Sequence, residues 1–129
     1  MFTYTLSQGE DKRIRIPVFD KATNNAIDLT LATDIIADVT QNKLSVAKYS
    51  LNEITGYEDL LIYSGSGSPN EVQFDILRDT SKNFSIGSTD VSVLVELPDT
   101  DFSTGEAHTD YVYSNYILIN ESFTKDINI

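Results

Sequence analysis

Two runs in the middle of the chain alternate apolar and polar side chains almost step for step. Val72, Phe74 and Ile76 alternate with Gln73 and Asp75, and Val91, Val93, Val95 and Leu97 alternate with Ser92, Leu94 and Glu96. A period of two is the mark of a half-buried strand, and β-branched and aromatic side chains suit its pleated surface. Together the runs predict the centre of a sheet, with the rest of the chain packed on that pair. Phe2, Tyr4 and Leu6 repeat the pattern, as do Ile14, Ile16 and Val18. Pro17 interrupts the latter run, which predicts an edge strand or a bulge because proline cannot donate to a ladder.

Residues 21–25 read as a turn, and 27–30 lead into a strand over about 34–40. A short helical turn within 29–36 competes with that reading; the alternation of Ile35, Ala37 and Val39 favours the strand. Gln41-Asn42 reads as a tight hairpin without the usual glycine, opening a strand over 44–51. A short apolar run over 59–63 precedes a Gly/Ser loop at 64–70, and a polar loop spans 98–110. The final strand region, 111–123, is rich in aromatics and is divided by Asn115. Seven to nine short strands, separated by polar turns, predict an all-β fold: a single immunoglobulin-like antiparallel β-sandwich. Residues 1–129 form one domain, with short arms at 1–9 and 124–129.

Charge narrows the choice of partners. Acidic residues number 20 against 9 basic, a net charge of −11. Affinity for phosphate comes from Lys and Arg, so neither nucleic acid nor an anionic membrane is expected as a partner. No cysteine is present, which removes disulfides, thiolate metal sites and a thiol nucleophile. No stretch approaches the length of apolar sequence that spans a bilayer, and the first ten residues lack a leader pattern.

Catalytic patterns fail on inspection, and no enzymatic activity is expected. Gly65-Ser66-Gly67 lacks the third glycine of a dinucleotide loop, since Asn70 stands there and a strand follows. His108, the sole histidine, has no Gly-x-Ser-x-Gly partner. Asp99, Asp101, Glu106 and Asp110 crowd one loop with oxygen ligands of the kind that wrap Ca²⁺. The EF-hand template wants glycine sixth, where Thr104 stands with Gly105 one place late. The loop is therefore read as solvated and no cofactor is expected; those four residues are the ligands if a cation binds. Tyr111, Tyr113 and Tyr116 read either as an interface, since tyrosine is enriched at contacts, or as core-facing rings with their hydroxyls at the rim. The apolar ends Phe2, Tyr4, Leu6, Ile127 and Ile129 are assigned to an interface, as they suit strand addition.

The order of segments resembles the small β-sandwich domains of tailed-phage virion proteins, such as the N-terminal domain of the baseplate upper protein family. The matching pieces are Arg13-Ile-Arg-Ile-Pro-Val-Phe19, Ile27-Asp-Leu-Thr30 with the strand to Val39, Val72-Gln-Phe-Asp-Ile76, Thr80 to Phe84, Gly87, and Val91 to Leu97. That family carries an Asp-Leu-Thr-Gly-Ala turn; here Leu31 takes the glycine's place. The resemblance covers about residues 10–98 and transfers no site residues. It implies a non-enzymatic bacteriophage virion protein, made in the host cytoplasm and assembling with other virion proteins and with copies of itself. A capsid accessory, head-fibre, tail or baseplate component fits. A carbohydrate- or cation-binding module is the alternative, with Tyr111, Tyr113 and the 99–110 loop as its face.

Overall fold

The computed structural model describes residues 2–64 and 69–122. The fold is all-β: a six-stranded and a three-stranded sheet packed face to face. Its strands are β1 (Tyr4–Ser7), β2 (Lys12–Pro17), β3 (Asp34–Gln41), β4 (Leu44–Ser50), β5 (Glu58–Asp59), β6 (Leu61–Tyr63), β7 (Glu71–Ile76), β8 (Gly87–Pro98) and β9 (Glu106–Asn120). The large sheet runs β1-β9-β8-β3-β4-β5 and the small one β2-β7-β6. All neighbours are antiparallel except β1 with β9 and β4 with β5, which are parallel.

The alternation fixes the core. Ile35, Ala37 and Val39 of β3 and Val91, Val93 and Val95 of β8 are fully buried, and they face Ile14, Ile16, Val72 and Ile76 of the small sheet. Tyr49 stacks on Phe74 across the layers, with ring centroids 4.4 Å apart and planes inclined by 25°. The two strongest runs do not lie side by side, contrary to expectation. β7 is the middle strand of the small sheet, while β8 lies inside the large one. The connection between them carries the chain across the core through a helical turn, α1 (Arg78–Ser81), with Ser81 and Phe84 buried beneath it.

Pro17 stands in β2, an edge strand of the small sheet, where its missing donor leaves no ladder bond unmade. The helical reading near residue 29 survives as one 3-10 turn, Leu29–Leu31. The Asp28 carboxylate caps it, accepting from the Thr30 N–H at 3.0 Å, and Leu29 is fully buried. The run at 59–63 is not one strand. β5 joins the large sheet, β6 joins the small one, and buried Leu60 sits at the crossing.

The ends and the last strand also differ from expectation. Residues 4–7 are not an arm: β1 lies along β9 with Leu6 wholly inside the core. Asn115 does not divide the last region. It takes φ 52° inside a continuous β9, at a bulge where the register with β8 shifts between Thr89 and Val91. The Asp90 carboxylate accepts from the Asn115 N–H at 2.7 Å and so pins that bulge. The 124–129 arm, with Ile127 and Ile129, and the glycines at 65 and 67 lie outside the described residues.

The β3–β4 hairpin turns on Asn42-Lys43 rather than Gln41-Asn42, with φ of 52° and 66°. Both turn residues are left-handed, the type I′ pattern whose second position favours glycine. A left-handed lysine carries a steric penalty of about 1 kcal/mol. Lys43→Gly should therefore raise unfolding stability by up to about 1 kcal/mol, read as a higher urea midpoint at unchanged slope.

Candidate interaction groove

β2 pairs with β7 on one side only, so the other side of its backbone faces away from its own sheet. Tyrosines of the large sheet close that side. The Tyr4 hydroxyl donates to the Arg15 carbonyl and accepts from the Arg15 N–H, both at 2.9 Å. The Tyr113 hydroxyl donates to the Pro17 carbonyl at 3.0 Å, and that of Tyr116 reaches the Arg15 carbonyl at 3.5 Å. Arg15 and Pro17 lie two residues apart, so their backbone groups point the same way, toward the tyrosines. The three rings form a tilted chain, with centroids 5.7 Å apart from Tyr4 to Tyr116 and 5.4 Å from Tyr116 to Tyr113.

Outside these caps lies an open groove of about 550 Å³ between β2 and β9. Tyr111, Tyr113 and Tyr116 line it from β9, and Phe19 and Lys21 from the segment after β2. Arg15 borders it, but its guanidinium stacks on Tyr63 at 3.7 Å and donates to Gln73 at 2.8 Å, away from the groove. The ammonium of Lys21 lies 5.0 Å from the Tyr111 ring centroid and donates to the Asp110 carbonyl. Phe19 stays 43% exposed, so an apolar face is presented to whatever enters. Asp20 is fixed locally: its carboxylate accepts from the Ala22 and Thr23 N–H groups at 2.8 and 3.0 Å, which holds it below the usual carboxylate range.

Of the interface residues expected from sequence, Tyr111, Tyr113 and Tyr116 converge here, but as largely core-facing rings. Tyr111 is only 9% exposed, and Tyr113 and Tyr116 pack against the core with their hydroxyls on the β2 backbone. Tyr4 stands beside them as a cap, Phe2 is half-buried, and Leu6 belongs to the core. Phe19, Arg15 and Lys21 were not singled out in the sequence. Their only signal was sharing a segment with Pro17, whose edge strand defines the groove.

The expected cation quartet does not assemble as such. The Asp99 carboxylate accepts from the Asp101 N–H at 3.0 Å within its own turn, and Asp110 accepts from the Ser92 hydroxyl at 3.2 Å. Glu106 instead meets Glu96 and His108, and the donor atoms of these three all lie within 4.8 Å of one another. Glu96 stands directly opposite His108 in the β8–β9 ladder. Hydrogen bonding with Glu96 pushes the Glu106 carboxyl up, while the same contact and the Thr33 hydroxyl hold Glu96 down. A third surface lies at the far side of the sandwich, under the β5–β6 crossing. It is a cleft of about 420 Å³ with Leu60, Leu61, Phe74 and Leu77 among its walls and Glu58, Asp59, Asp75 and Asp79 at its margin. Arg13 pairs with Asp75 there at 2.8 Å.

Comparison with protein-family models, curated proteins and solved structures returns no match for this chain.

Two outcomes follow from the tyrosine caps. Tyr4→Phe leaves the Arg15 N–H without its partner and its carbonyl with only the longer contact from Tyr116, and should lower stability by about 1–3 kcal/mol in urea unfolding. Tyr113→Phe removes a single bond and should cost less. Burial pushes the Tyr113 hydroxyl up to about 12, with Tyr111 adding to the shift, and burial raises Tyr116 as well. A raised folded value means that the folded state holds its proton longer than the unfolded chain, whose tyrosines release theirs near pH 10. The stability contributed is thus complete below about pH 10 and is lost as pH climbs through 12. Tyrosinate absorbance should show a late-titrating group whose ionisation coincides with loss of fold.

Proposed function

We propose that this chain is a non-enzymatic structural protein of a bacteriophage particle that works by gripping neighbouring protein chains. The observation that carries the reading is the groove: Tyr111, Tyr113, Tyr116, Phe19 and Lys21 gathered on one face. Aromatic side chains, tyrosine above all, are enriched at interfaces, and a rigid wall loses little entropy when a partner docks. The resemblance to tailed-phage β-sandwich domains supplies the particle. Its quoted segments lie in β2, the turn before β3, β3 itself, β7, the helical turn and β8, the shared framework of the two layers. Partners are other virion proteins and copies of this chain, with many weak contacts adding up by symmetry. Its place is the particle, after synthesis in the host cytoplasm.

A second reading is a carbohydrate-binding module, favoured by aromatic faces lying beside the polar side chains of Asp20 and Asn24 in the same groove. A glycan array separates the two.

The deciding measurement is sedimentation of the source material with quantitative mass spectrometry of the particle fraction. The protein should pellet at a fixed high copy number, and Phe19→Ala with Lys21→Glu should reduce its incorporation at least tenfold while the fold is kept. Wild-type protein confined to the soluble fraction overturns the proposal.

A further inference from the structure

We propose that Glu96, Glu106 and His108 form a binding site for a divalent transition-metal ion of the Zn²⁺ class on the outer face of the large sheet. The three ligands come from the two longest strands of the molecule. Glu96 of β8 is register partner to His108 of β9, and Glu106 is two residues before His108, hence on the same face. Their donor atoms already lie within 4.8 Å of one another, with His108 Nε2 and Glu96 Oε2 at 2.9 Å. Ligands held ~2.0 Å from a tetrahedral zinc stand ~3.3 Å apart, so small side-chain rotations bring the set to bonding distance.

The surroundings fit the same role. The Thr33 hydroxyl, from the segment leading into β3, donates to the other Glu96 oxygen at 3.0 Å and fixes that carboxylate from behind. One imidazole and two carboxylates form a mixed nitrogen–oxygen set, which suits Zn²⁺ and its neighbours better than the all-oxygen ions Ca²⁺ and Mg²⁺. Three protein ligands leave a coordination position open toward solvent, because the His108 side chain is 47% exposed. Water takes that position in the isolated chain, and a side chain of a docked neighbour is able to replace it.

Isothermal titration of the full chain with ZnCl₂ tests the site, alongside His108→Ala, Glu106→Gln and the loop control Asp101→Asn. The wild type should bind one Zn²⁺ saturably, and the His108 ring resonances should shift on titration. His108→Ala and Glu106→Gln should each weaken binding at least tenfold, with circular dichroism unchanged, and Asp101→Asn should bind as the wild type does. Absence of saturable one-to-one binding at millimolar Zn²⁺ overturns the proposal, as does binding that survives both ligand substitutions.

Discussion

The contact on which the arrangement depends is that of tyrosine hydroxyls with the open backbone of β2. A three-stranded sheet beside a six-stranded one has an exposed edge, and exposed edges invite pairing with any passing strand. Tyr4 and Tyr113 occupy that edge with hydrogen bonds of 2.9 and 3.0 Å, so the layer that lacks a neighbouring strand borrows side chains in its place. The same bonds aim the rings. With their hydroxyls turned inward, the tyrosines have few rotamers left, and the wall of the groove is set before any partner arrives. The bonds that close the edge of the small sheet therefore also shape the groove.

At a net charge of −11, electrostatics sets copies of the chain to repel one another. In the groove the Lys21 ammonium lies against the Tyr111 ring, whereas the Arg15 guanidinium turns away to stack on Tyr63. On the far side, the apolar cleft beneath the β5–β6 crossing carries carboxylates at its margin. The two surfaces therefore differ in charge.

Much of the sandwich was legible in the sequence, because alternation reports burial directly. Ile35, Ala37 and Val39 fell inward as their spacing requires, and Pro17 marked an edge. Layer assignment was not legible. Alternation says that one face is buried and not which sheet a strand enters, so β7 and β8 read as neighbours although a core lies between them. The run at 59–63 was too short to show that it serves both sheets. The cluster of Glu96, Glu106 and His108 depends on register, which β8 and β9 set through the turn between them. Glu96 lies outside the acidic loop that drew attention to Glu106. The groove was half legible: the tyrosines stood out by composition, whereas Phe19 and Lys21 join them only through folding.

The pairing of β1 with β9 is parallel, which sets how the molecule bears load. Tension applied near Thr3 and near Glu121 draws the two strands past each other along their length. Every bond of the ladder is then strained together, whereas a hairpin pulled from its open end parts one bond at a time. The short strand that buries Leu6 thus resists such tension as a shear clamp.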